Sequence, residues 1–307
     1  MHIYYWPLMM SDMEPAKRDK ALGLLALLIV YLLALALGVG MFLLLKDHLP
    51  VPVNILLCDV AATVVVWLGG VILKTASVYD PYWSVQTFFI YLGLLIYYNN
   101  WNLYTILALV SIGLYSVRLT ANFILGFHSL TYVDWRYSML KEKTGKAFQF
   151  VNLFGICMMP TLVVYAASLP IFVYASLSSY SALDIIGNAL LLGAVGLELV
   201  SDMQMKTFIK NRKSKEEVIS VGLWKYSRHP NYLGEIAVWF ALYLILLIGH
   251  AEYWYFFFGA VINLALFLFI SIPMEEKHML EYKPALKTYI ETTSMLLILP
   301  RRKKKAE

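Results

Sequence analysis

The sequence predicts an all-α integral membrane protein, and three observations carry that prediction. Hydrophobic residues make up 60% of the 307-residue chain and charged residues only 15%, with a mean hydropathy of +0.66. Soluble domains are about a quarter charged. The apolar residues arrive in blocks of the roughly 20 needed to cross a bilayer core. The basic residues then fall almost entirely on one side of the resulting topology.

Eight spans follow along the chain: Ala21–Leu45, Val53–Leu73, Tyr82–Tyr98, Leu103–Phe127, Val151–Leu177, Leu183–Phe208, Tyr232–Ile248 and Trp254–Ile272. The third is short and aromatic. Gly113, Pro160, Pro170 and Gly193 lie inside spans, where they mark kinks or close packing. With a cytosolic N-terminus the even-numbered connections are cytosolic as well. That side then holds 23 of the 25 basic residues, counting Lys206 at the cytosolic end of the sixth span, and leaves Lys46 opposite and Arg118 within the fourth. Both termini are therefore expected in the cytosol, as are the two sizeable connections, 128–150 and 209–231. The first apolar run is too long for the core of a cleavable signal peptide.

Several function classes are disfavoured. Cys58 and Cys157 both sit in apolar runs, which excludes a disulfide scaffold and gives no metal-site spacing. There is no Gly-x-Gly-x-x-Gly or Walker loop and no His-Glu-x-x-His pair. No metal is expected. The basic segments are interrupted by membrane, which argues against nucleic acid.

Polar residues within or beside spans are the functional candidates, because burying them is costly unless they are paired. Asp80, in Tyr-Asp-Pro-Tyr-Trp, reads either as a helix cap ahead of proline or as a functional carboxyl. Tyr115, Arg118 and Asn122 share one helix face, so Arg118 either snorkels to headgroups or lines a polar cavity. Glu198 and Asp202 form a like-charge pair at i, i+4 that Lys206 only partly offsets. The densest polar stretch is 222–235. There Arg228 and His229 precede Pro230, and Asn231, Tyr232 and Glu235 occupy the start of the next span. A helix N-terminus suits an anionic phosphate, and Lys210, Arg212, Lys213 and Lys215 lie just upstream.

Ser227-Arg228-His229-Pro230-Asn231-Tyr232-Leu233-Gly234-Glu235 resembles the signature of the steroid 5-alpha-reductase C-terminal superfamily, in particular its reductase-like membrane protein branch. Asp134-Trp135-Arg136-Tyr137, the stretch Gly196 to Gln204, Glu275-Glu276-Lys277, Tyr289 and the tail from Thr293 to Pro300 fit the same branch. The resemblance covers residues 53–300. It implies a seven-helix core, preceded by an additional N-terminal helix (1–52) and followed by a basic tail (301–307). It also implies NADPH entering from the cytosol, with Asn231, Glu235 and Asp202 matching dinucleotide contacts. Glu198 stands where the steroid enzymes have Asn, and Arg228 and His229 replace smaller residues. Arg118, Asn122, Lys210, Arg212 and Tyr232 complete the candidate cofactor set. Asp80 and Tyr115 fall at the Glu and Tyr that polarise a ketone.

The implied activity is NADPH-dependent reduction of a carbonyl-conjugated C=C bond in a lipophilic, lipid or steroid-like substrate, an oxidoreductase acting on the CH-CH group. Two alternatives stand beside it. Isoprenylcysteine and phospholipid methyltransferases share an Arg-His-Pro pattern, which allows an S-adenosylmethionine-dependent enzyme. A protein that binds membrane lipids without catalysis is the other. The closing Lys304-Lys305-Ala306-Glu307 reads equally as a dilysine retrieval signal of the endoplasmic reticulum and as a basic stop.

Overall fold

The structure is a computed structural model that describes residues 17–131 and 133–302; the dilysine reading of the tail lies outside these residues. The described residues are 78% helical, and no strand is present among them. They divide into two compact units, 17–177 and 178–302.

The N-terminal unit contains α1 (Lys17–Leu45), α2 (Val51–Ile72), α3 (Tyr82–Tyr98), α4 (Leu103–Gly126), α5 (Trp135–Thr144), α6 (Phe148–Val151) and α7 (Met159–Ser176). Local chemistry sets their ends. Pro52 lies in the first turn of α2, where its missing N–H costs nothing. Asn99 ends α3 in the left-handed conformation, with φ 48°. Asn102 then opens α4 with a reciprocal capping box: its side chain accepts from the Thr105 amide at 3.2 Å, and the Thr105 hydroxyl accepts from the Asn102 amide at 3.0 Å. The polar turn between them is tied down by Asn100, whose amide donates to the carbonyls of Ala175 and Leu177.

The C-terminal unit contains α8 (Asp184–Asn211), α9 (Pro230–Leu247), α10 (Phe258–Leu266), α11 (Ile272–Leu280) and α12 (Leu286–Thr292). Each unit has one widened helical turn just ahead of a proline. Asn152–Met158 precedes Pro160, and Phe267–Ser271 precedes Pro273. A proline removes one helical hydrogen bond and its ring presses on the carbonyl four residues earlier. A π-turn absorbs both effects without ending the helix.

Among the described residues, seven helical stretches are long and apolar enough to cross a membrane. All eight expected spans are helical. The third, α3, has the expected bounds, but its 17 residues reach only about 25 Å, short of a hydrocarbon core of about 30 Å. Large apolar side chains are exposed along the long helices, among them Leu33, Val117, Ile186 and Phe269. Patches this extensive are unusual on soluble monomers and natural against lipid. The protein is therefore an all-α, multi-pass membrane protein.

Candidate functional site

In the N-terminal unit the candidate carboxyl, Asp80, is positioned by the turn between α2 and α3. Helix α2 closes with the Leu73 amide on the Gly69 carbonyl and the Thr75 amide on the Gly70 carbonyl, both at 2.9 Å. Lys74, between them, takes φ 56°. A 3-10 turn, Ala76–Val78, follows, with the Thr75 hydroxyl accepting from the Ser77 amide. The amides of Asp80 and Tyr82 then donate to Ser77 and Tyr79 carbonyls.

This run of main-chain turns leads directly into α3, whose N-cap is Pro81 with no side-chain cap. The capping reading of Asp80 is therefore overturned. Its buried carboxylate instead accepts a hydrogen bond from the Tyr137 hydroxyl. Tyr137 belongs to the Asp-Trp-Arg-Tyr motif, whose first and third residues have a local role. Asp134 caps α5 by accepting from the Arg136 amide at 2.9 Å, and it also pairs with the Arg136 guanidinium at 2.8 Å. The capped turn aims Tyr137 at Asp80.

The shared face of α4 is buried as its spacing predicts. Tyr115 is 1% exposed and Asn122 8%, whereas Val117 on the opposite face is 67% exposed. Arg118, half-buried, has an Nε that finds no acceptor in the protein. A second polar cluster in this unit had no sequence signal. Asp59, inside α2, accepts from the Tyr82 hydroxyl at 3.0 Å and from the Gln86 amide at 2.5 Å. The Thr161 hydroxyl meets those of Thr63 and Tyr79 at 2.9 and 2.8 Å.

In the C-terminal unit, helix α9 starts at Pro230, as the stretch 222–235 predicts. It runs antiparallel to α8 and touches it through glycine. A Cβ on Gly234 would lie 2.7 Å from the Glu198 Cβ, and one on Gly187 would lie 2.5 Å from the Ile245 Cα. The predicted Glu198 therefore sits beside the first turns of α9, near Asn231 and Glu235. Glu235 accepts from the Trp239 indole at 2.8 Å, and Asp202 is half-buried one turn beyond Glu198.

Arg228 is committed elsewhere. Its guanidinium holds both carboxylate oxygens of Glu276, at 2.7 and 3.3 Å, and the carbonyls of Ile290 and Thr293, at 2.8 and 2.9 Å. His229 shares Glu276 through Nε2 at 2.9 Å and stacks on Tyr232, whose hydroxyl reaches Glu275 at 2.5 Å. Asn231 Oδ1, His229 Nδ1, Glu275 Oε1 and Thr293 Oγ1 are all buried and find no hydrogen-bond partner in the protein.

A cavity of about 30 Å³ lies against this cluster, lined by Arg212, His229, Glu275, Lys283 and Tyr289 among others. Burial, reinforced by the Arg212 charge and opposed by Glu275, pushes the Lys283 amine down to about 8. Lys283 carries no signal in the sequence beyond its charge. Lys210 is exposed on the last turn of α8. The tail from 294 to 301 is laced onto this site. The Arg228 amide donates to the Ser294 carbonyl at 2.9 Å, the Ser227 hydroxyl to Leu296 at 2.7 Å, and the Leu299 amide to Tyr226 at 3.3 Å.

Neither a curated protein nor a solved structure matches the chain. A family does match, over residues 66–293, from the middle of α2 through the end of α12 to Thr293. It takes in Asp80, Tyr115 and the start of α9, and leaves out α1 and Asp59. By that match the chain belongs to the family described as Protein of unknown function (DUF1295).

Proposed function

We propose that the protein is a membrane-embedded, NADPH-dependent reductase of the steroid 5-alpha-reductase type. Its reaction would be reduction of a carbonyl-conjugated C=C bond in a lipophilic substrate. The observation that carries this reading is the group of buried, partnerless polar atoms at the start of α9, on Asn231, His229 and Thr293. Buried polar side-chain atoms in native proteins nearly always have a partner. A dinucleotide's ribose and amide groups supply donors and acceptors of the matching kind.

The residues fit that cofactor in chemistry. Asn231, His229, Tyr232 and Glu235 would hold its polar groups, with Glu198 and Asp202 beside them, and Lys210 and Arg212 would face its phosphates. Arg228 is unsuited to the phosphates because Glu276 and two carbonyls already take its donors. In this closed arrangement the cavity admits only molecules of about water size, since dinucleotide-sized ligands need several hundred Å³. Binding of a dinucleotide would therefore require the lining to open, Val218 and Ile219 included.

When bound, the nicotinamide would supply hydride chemistry. The chain's own part is to polarise the carbonyl. Tyr115 is buried and carries the hydroxyl that would donate to the carbonyl oxygen, with Asp80, held by the Tyr137 hydroxyl, supporting it. Donors held ready in a water-poor site stabilise a developing enolate oxygen strongly, and removing one typically costs about 10²–10³ in rate.

The test uses purified protein in lipid nanodiscs. Quenching of tryptophan fluorescence by NADPH should be saturable, weakened at least tenfold in Asn231→Leu and Glu235→Gln, and absent with S-adenosylmethionine. NADPH oxidation with enone lipids should fall at least 100-fold in Tyr115→Phe and Asp80→Asn, which leave the residues proposed for the cofactor intact. Failure to bind NADPH in both detergent and bilayer would sink the reading. Saturable binding of S-adenosylmethionine instead would transfer the site to methyl transfer.

A further inference from the structure

The N-terminal unit carries a second concave site, a groove of about 350 Å³ between the end of α2 and helix α5. That volume is within the range of small-molecule sites. Its floor is Thr75, Ala76 and Tyr137, all buried, and its rim carries the exposed Lys74, Ser138 and Lys141. One wall is apolar, formed by Val133 and Phe148. The groove therefore brings two cations, hydroxyl groups and one carboxylate together with hydrocarbon.

Its place in the fold repeats that amphipathic character. Lys74 follows α2 by two residues, and Ile72, the last residue of that apolar helix, is 76% exposed. Helix α5 ends on Lys141 and Lys143, Lys146 follows, and Phe150 is 67% exposed on the next turn of chain. Lysines beside exposed aliphatic and aromatic residues at the end of a membrane helix mark the headgroup level of a bilayer.

Lys74 adds a conformational argument. Its φ of 56° is the left-handed conformation that a helix-ending glycine adopts without cost. A lysine here gives up backbone freedom, and what it contributes in exchange is an ammonium group at the groove.

We propose that this groove binds the anionic headgroup of a membrane phospholipid, with Lys74 and Lys141 on the phosphate and the acyl chains against Val133, Phe148 and Ile72. Glu142 also lines the groove. It opposes an anion and tunes affinity downward. Neither lysine is assigned to substrate or cofactor in the reductase reading, so their variants test the groove alone, while Tyr137 in its floor also holds Asp80.

The experiment titrates the full chain in phosphatidylcholine nanodiscs with dioctanoyl phosphatidic acid, dioctanoyl phosphatidylcholine and inorganic phosphate. Native mass spectrometry and thermal shift report binding. Phosphatidic acid should bind saturably, at least tenfold tighter than either of the others. Lys74→Gln with Lys141→Gln should weaken it at least tenfold at an unchanged melting temperature, and Glu142→Gln should tighten it. Lys74→Gly should weaken binding while the melting temperature holds or rises, which separates the loss of charge from a loss of fold. Equal affinity for phosphatidylcholine, phosphate alone binding as tightly as the lipid, or full affinity in the double lysine variant would each overturn the proposal.

Discussion

Arg228 shows how a residue in a signature motif can serve the fold rather than the ligand. It is 8% exposed and holds one carboxylate and two carbonyls, on α11 and around the end of α12. Removing one partner of such a buried pair leaves the other charge uncompensated, at a cost of about 3–5 kcal/mol. Arg228→Ala should therefore lower the melting temperature and open the chain after Tyr289 to limited proteolysis. Full stability in that variant would return Arg228 to the cofactor candidates. Lys283 gives a pH signature. Its amine titrates near 10.5 when unfolded and about 8 when folded, so between those values the unfolded state holds more protons. Stability should then rise with pH across that window, with the full burial penalty present below about pH 8. Thermal melting in detergent should show that rise, and Lys283→Met should abolish it and melt higher at pH 7.

At the scale of elements, the α8–α9 pair depends on backbone approach at two glycines. The contacts, Gly187 on Ile245 and Glu198 on Gly234, are both to backbone as well as side-chain atoms, so the helices cannot make room by rotating a side chain. Small residues at crossing points permit this kind of membrane packing. Gly187→Ala should force the helices apart, destabilising the unit by about 1–3 kcal/mol, the usual cost of overpacking. Gly193→Ala, where nothing lies within 4 Å of the added methyl, is the matched control and should leave the melting temperature unchanged. The same contact places Glu198 beside the start of α9, so Gly234→Ala should impair NADPH binding along with stability.

For the whole molecule, the charge distribution makes an orientation prediction. Almost all basic residues fall on one side of the expected topology, and that bias orients membrane proteins. An acceptor for N-glycosylation placed between α3 and α4, at 99–102, should be modified in microsomes. One placed at 213–216 should not be, because that segment is expected in the cytosol. Modification of the second site would invert the topology. The cytosolic placement matters to the proposed function, since Lys210, Arg212 and the start of α9 would then meet a cytosolic cofactor.

The sequence by itself determined the membrane character, the helices and the start of α9 at Pro230, because hydropathy, spacing and helix-breaking residues are local properties. It also picked out the buried face of Tyr115 and Asn122, since helical period alone assigns residues to a face. Tertiary structure decided which polar groups meet. Asp80, readable as a cap or as a functional carboxyl, accepts from Tyr137, 57 residues away. Arg228, one of the cofactor candidates, clamps Glu276, 48 residues away. Lys283 looked like any tail lysine and is buried beside Arg212, and Asp59 lay unnoticed in an apolar run. A buried charge must find its counterpart wherever the fold brings one. That counterpart is a neighbour in space, and no local pattern of residues encodes it.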